Sequence, residues 1–183
     1  MYIGNSGSSF STGSLSLTDM TGAGGTESAN SFTVFGNSDI IQTTLQVGAG
    51  GLTLNNSNLY LNKGTAANML GSRLILDGNI TVNGASPSGI ITNIGSIGQS
   101  EIELSSTAGT VTRVIETNAD LSISPDINNG AATLANLTKT GAGKLTLSGT
   151  NSYNGHTQVD AGTLSITSSA SLGDASTTNT LGL

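Results

Sequence analysis

The chain has 183 residues, of which only 9% are charged, with a net charge of −6 and no cysteine. Five Lys and Arg against eleven Asp and Glu cannot neutralise a phosphate backbone or hold an anionic lipid surface, so nucleic acid and direct membrane attachment are excluded as tasks. Without cysteine there are no disulfides, thiolate zinc sites or thiol catalysis, and no apolar run approaches the ~20 residues of a membrane-spanning helix.

Gly, Ser, Thr and Asn make up roughly half of the chain, far from the usual globular mixture. Disordered chains of such polarity carry high net charge and few β-branched residues. This one is rich in Thr, Ile and Val, and its Leu and Ile recur in short alternating bursts. That pattern predicts an all-β fold with small polar turns.

Residues 1–30 read as a loop-rich or capping segment, with one strand candidate at 15–17. Residues 31–183 read as one parallel β-helix. Strand candidates follow at 32–35, 40–47, 52–54, 59–61, 74–76, 80–82, 90–94, 102–104, 111–115, 121–123 and 134–137. Gly, Asn, Asp and Ser separate them, and both prolines, Pro87 and Pro125, fall in connections. Only 65–71 (TAANMLG) suits a helical turn. The last three residues, 181–183, begin a further strand. An uncovered edge there predicts end-to-end self-association or a capping loop.

The stretch 137–166, LTKTGAGKLTLSGTNSYNGHTQVDAGTLSI, is the most strongly patterned. Its apolar residues alternate with polar ones, which places one set inside and the other in water. Gly141, Gly143, Gly149, Gly155 and Gly162 punctuate it, and Asn154-Gly155 is a tight-turn pair. The string GAGGLTL at 48–54 returns as GAGKLTL at 141–147. Asn58 and Tyr60 return as Asn151 and Tyr153 at the same offset, from 48 to 141. This self-similarity favours stacked coils over an antiparallel sandwich. Coils of roughly 20–25 residues, stacked about 4.8 Å apart, give seven or eight rungs and a rod on the order of 35 Å long.

Residues 137–166 resemble the autotransporter-associated β-strand repeat. The matching positions are Leu137, Lys139, Gly141, Gly143, Leu145, Leu147, Gly149, Asn151, Tyr153, Gly155, Val159, Gly162 and Leu164. The copy at 48–61 lacks the lysine and the Asn-x-Tyr-x-Gly turn. The resemblance implies part of the passenger of a type V secreted protein. Such passengers are mostly right-handed parallel β-helices, displayed outside Gram-negative bacteria on an outer-membrane barrel or released. It implies a non-enzymatic stalk or adhesin that assists its own export by folding outside the cell. The partners it implies are host or matrix glycans or proteins. The repeat positions are expected to be structural, with Gly141, Gly143 and Gly162 at corners and Leu145, Leu147 and Leu164 facing inward.

β-Helices also include polysaccharide lyases and glycosidases, so an enzyme or a glycan-binding module is the alternative. Such sites need clustered carboxylates. Glu101 and Glu103 flank Ile102 on one outward face, and Asp120 and Asp126 lie near Asn128 and Asn129. Neither set has the ligand spacing of a calcium loop. The single histidine, His156, follows a turn and has no acid beside it in the sequence. Tyr60 and Tyr153 are the aromatic candidates for stacking on sugar, although Tyr153 belongs to the repeat. No catalytic, cofactor or metal site is expected.

Overall fold

The computed structural model describes residues 2–3, 9–20, 32–34, 42–62, 71–93 and 100–174. The strands are β1 (Tyr2–Ile3), β2 (Ser9–Thr18), β3 (Phe32–Val34), β4 (Thr43–Asn55), β5 (Asn58–Asn62) and β6 (Ser72–Leu76). They continue as β7 (Ile80–Asn83), β8 (Ser88–Asn93), β9 (Glu101–Glu103), β10 (Thr110–Thr117) and β11 (Leu121–Ile123). The last five are β12 (Asp126–Asn128), β13 (Leu134–Thr140), β14 (Lys144–Leu147), β15 (Thr157–Val159) and β16 (Thr163–Ile166). A single 3₁₀ turn, Ser169–Leu172, is the only helical element among the described residues. The helical turn expected at 65–71, but for Gly71, and the strand expected at 181–183 lie outside the described residues, as do the ends of the candidates at 32–35, 40–47 and 90–94.

The fold is all-β, and the described strands pair in parallel in a curled sheet arrangement. Parallel partners cannot be joined by a hairpin, so each strand pairs with one far along the chain. Seven strands form one sheet in the order β1-β3-β5-β8-β11-β14-β16. The other sheet runs β12-β9-β6-β4-β7-β10-β13-β15, with β2 also on β4. This wider sheet divides at β4. The first half of β4, Thr43–Val47, pairs with β6, and its second half, from Leu52, pairs with β7. β2 follows both halves, with a register shift between Thr12 and Ser14. Three series of registers result, and from β5 to β14 the chain visits them in a fixed rotation: β5, β6, β7, then β8, β9, β10, then β11, β12, β13, then β14.

Parallel registers stack like on like. In the seven-stranded sheet Phe32, Leu59, Ile90, Ile123, Leu147 and Ile166 form one row. In the wider sheet Leu45, Leu74, Ile102 and Ile127 form a second, and Leu15, Leu52, Ile80, Ile115, Lys139 and Val159 a third. Most of these residues are buried in one continuous core. Each large aliphatic side chain buried in this way contributes about 1.5–3 kcal/mol. Narrow rows of this kind need no large aromatic filler, and the 3% aromatic content accords with that.

Two expectations need correction. The strand candidate at 15–17 is the end of a ten-residue strand, β2, most of whose residues are exposed. The echo between 48–54 and 141–147 does not mark equivalent places. Leu52–Leu54 lies in the wider sheet against β7, whereas Leu145–Leu147 lies in the seven-stranded sheet between β11 and β16. Tyr60 is in β5, but Tyr153 lies between β14 and β15. The shared string encodes a glycine corner followed by a strand, and either sheet can use it. Spacing between rungs also varies more than expected. Partners near the C-terminal end stand 20 and 24 residues apart, those nearer the start 31 and 35.

Candidate functional site

The densest polar construction in the core lies in 137–166. β13 alternates strictly, so Ala135, Leu137 and Lys139 all face inward. Lys139 therefore enters an aliphatic row, between Ile115 below and Val159 above, and is only 1% exposed. A buried ammonium is costly unless its donors are used. Here Nζ donates to the carbonyl oxygens of Thr140 at 2.6 Å, Gly141 at 2.8 Å and Ala161 at 2.9 Å. Two acceptors belong to its own corner and one to the next rung. Burial pushes the Lys139 amine below its usual range, and the Asp120 charge opposes that. One rung earlier, Thr117 Oγ1 donates to Thr140 O and Gly143 O, at 3.3 and 3.1 Å.

Glycine makes this corner possible. Gly141 and Gly162 have φ of 76° and 74°, the left-handed region that other residues enter at a cost. A Cβ on Gly162 would lie 2.4 Å from Gly141 O and 2.8 Å from Lys139 Nζ. Gly143, Gly149 and Gly155 are also packed against backbone of the preceding rung.

The other repeat positions join neighbouring rungs. Asn151 Oδ1 accepts from Ile127 N–H at 2.9 Å, and its Nδ2 donates to Ser171 O at 2.6 Å, so one buried amide ties three levels. Tyr153 is fully buried, its hydroxyl 2.7 Å from Thr157 Oγ1. Burial raises its pKa, and the Thr157 bond counters this. Tyr60 is 8% exposed. Neither ring offers a face to sugar. Leu137, Leu145 and Leu147 are buried, while Leu164 and Val159 are partly so.

The carboxylates considered for chemistry are engaged in the scaffold. Glu101 accepts from Gln42 Nε2 at 2.9 Å and Asn128 Nδ2 at 2.8 Å, and Glu103 pairs with Arg73 at 2.9 Å. Asp120 accepts from Lys144 N–H and Asp126 from Thr150 N–H, each 24 residues on. Asn129 and Asn154 bond each other in both directions, Nδ2 to Oδ1 at 2.8 Å and backbone N–H to Oδ1 at 3.0 Å. His156 is exposed, with its N–H on Asn136 Oδ1 at 2.8 Å. Among the described residues no three His, Cys, Asp or Glu side chains are grouped so as to hold a metal ion.

Sequence reading missed the burial of Lys139, and it missed Arg113. Arg113 stands in register with Leu137, and its Nε donates to Leu104 O at 2.7 Å and Leu76 O at 3.0 Å. The available signal was parity: each shares the alternation phase of apolar neighbours, Leu137 for Lys139 and Ile115 for Arg113.

This construction coincides with a recognised family. Residues 137–166 match the family described as Passenger-associated-transport-repeat. The segment is an autotransporter passenger repeat. No curated protein and no solved structure matches the chain. Among the described residues no helix is long and apolar enough to cross a membrane.

Proposed function

We infer that the chain is a β-helical segment of an autotransporter passenger, secreted or displayed at the bacterial surface, with a structural or adhesive role and no catalytic one. The passenger repeat at 137–166 carries this reading. The rotation of the chain through three parallel series of registers supports a solenoid, and a right-handed parallel β-helix is the architecture we assign to it. Engagement of Glu101, Glu103, Asp120 and Asp126 by scaffold donors favours a stalk over an enzyme. Residues 31–183 form the rod in this reading, with 1–30 as its loop-rich or capping start. Its partners are host or matrix glycans or proteins, together with other copies meeting end to end.

The test places the chain between a signal peptide and an outer-membrane translocating barrel in a Gram-negative host. The chain is expected to reach the surface, where added protease cleaves it. The double substitution G141V/G162V is expected to lower the surface amount severalfold, and equal display of the two would overturn the passenger reading. The displayed chain is then offered polygalacturonate and capsular glycans. Binding without turnover fits an adhesive surface, and depolymerisation would replace it with the enzyme reading.

A further inference from the structure

Among the described residues the longest open strand edge belongs to β2, which pairs with β4 alone. Phe10, Thr12, Leu15 and Leu17 stand in register with the buried Leu45, Val47, Leu52 and Leu54, so all four belong to inward rows. Phe10 is nevertheless 39% exposed, where Leu45 is wholly buried. The register shift between Thr12 and Ser14 reverses the alternation, so the inward residues flank Gly13–Ser14 symmetrically. Laid antiparallel on a copy of itself about that centre, β2 sets Phe10 against Leu17 and Thr12 against Leu15 on the inner face. On the outer face Ser9 meets Thr18 and Ser11 meets Ser16. No residue from Ser9 to Thr18 is charged or proline, so the usual guards of an open edge are missing.

We propose that two copies of the chain dock head to head through β2, which continues the wider sheet of one protomer into that of its partner as an antiparallel strand. The proposal rests on the solenoid reading above and gives its end-to-end contact a partner and a symmetry. β2 follows both halves of β4, so its own halves lie on different faces and its centre of symmetry falls at the corner between them. A two-fold axis through that corner exchanges the two faces and returns the seven-stranded sheet to itself, where β1 likewise pairs with β3 alone among the described residues. Such a contact is isologous and closes at two copies. A ten-residue antiparallel pair supplies on the order of ten backbone hydrogen bonds, as many as a typical interface carries.

Sedimentation of the purified chain from about 1 to about 100 µM is expected to show the 18.1 kDa mass giving way to twice that value, and a monomer throughout would overturn the proposal. The chain contains no cysteine, so disulfide trapping reads the pairing directly. Oxidising a mixture of S11C and S16C chains is expected to join one of each, because the two positions face each other within disulfide reach. Each variant alone is expected to stay unjoined, since like positions lie about 17 Å apart along the pair. Self-joining of S11C would mean parallel pairing, and a dimer joined by neither route would place the contact elsewhere; either result would overturn the proposal. S11K/S16K sets like charges opposite each other twice and is expected to weaken the dimer about tenfold, whereas an unchanged dimer would count against β2. Surface display is read separately. A chain that reaches the surface but stays monomeric overturns the dimer alone, and a dimer that is not displayed overturns the passenger reading alone.

Discussion

The corners at Gly48–Gly51 and Gly141–Gly143 are written in almost the same letters and built differently. In GAGGLTL the left-handed residue is Gly51, the fourth position, with φ of 77°. In GAGKLTL it is Gly141, the first, with φ of 76°. The fourth position there is Lys144, the start of β14. The first corner lies within β4, bending one long strand between two registers. The second carries the chain from the wider sheet to the seven-stranded one. A further difference lies two residues upstream. Lys139 points inward and caps carbonyls, whereas Gln46 bonds Asp77 through its side chain at 2.7 Å. The first corner turns at a glycine that the second copy lacks, Lys144 standing in its place, and the strands that lead into the two corners bury different residues.

The sharpest test moves one methyl group between the two copies. G141A and G51A each place a Cβ 2.4 Å from a backbone oxygen, that of Thr117 or Asn79, at a positive φ. Each should cost about 3 kcal/mol or more. G48A, at the position of Gly141 in the string, meets only atoms 3.2 Å away on the mostly exposed strand β2. Its expected cost is about 1 kcal/mol or less, because alanine also restricts the unfolded chain. Urea unfolding of the three variants checks the order, and equal costs for G141A and G48A would mean that the two corners are the same after all.

The next test removes the upstream residue. K139M leaves the carbonyls of Gly141 and Ala161 without their ammonium donor in a buried setting, and about 2 kcal/mol should be lost. Q46M gives up a half-buried bond to Asp77 and should cost about 0.5–1 kcal/mol. Thermal unfolding measured side by side would distinguish the corners, and a larger loss from Q46M would reverse the argument. Leu145→Ala and Leu52→Ala should cost similar amounts, about 2–5 kcal/mol, since each follows its corner into the same core. A large inequality between these two would show that the rows are not equally packed.

These contrasts indicate what the sequence made legible. Alternation in Leu145–Leu147 was enough to place a strand and its parity, because a period of two survives in short segments. The all-β character followed from many short strands, whereas the parallel stacking was read from the echo of 48–54 at 141–147, which marks inequivalent places, so that reading reached parallel strands on a ground the structure does not support. The passenger repeat was legible from thirteen residues at fixed positions. Pairing partners were not legible, because a parallel register is set by a strand 19 to 37 residues away, as between Lys144 and Thr163 or Leu15 and Leu52. The string match between 48–54 and 141–147 misled for that reason: it reports local geometry, and the sheet a strand joins is a non-local choice. The buried lysine was hidden by its letter, since lysine is so rarely buried without a partner that its phase with Leu137 carried little weight.

The smallest expected effect concerns pH at the first corner. Asp77 is partly buried, which opposes its ionisation. The Gln46 amide, the Ser106 N–H and hydroxyl, and the nearby Arg113 charge outweigh that burial and hold its carboxyl below the usual value of 3.8. Folded chains therefore bind this proton at lower pH than unfolded ones. The stabilisation is fully present above about pH 4 and is lost as pH falls through the lowered folded value. Arg113 should add no change of its own there, since it stays protonated throughout. In D77N the Gln46 and Ser106 donors meet an amide that does not titrate, so its unfolding midpoint should fall less between about pH 6 and pH 2.5 than that of the parent chain. The two midpoints should converge toward acid, because protonation and the amide both remove the same negative charge. At the second corner no carboxylate accepts from Lys139, whose three bonds go to backbone carbonyls, so K139M should keep the acid dependence of the parent. Parallel loss of acid dependence in D77N and K139M would mean that the two corners share one electrostatic network and are not built independently.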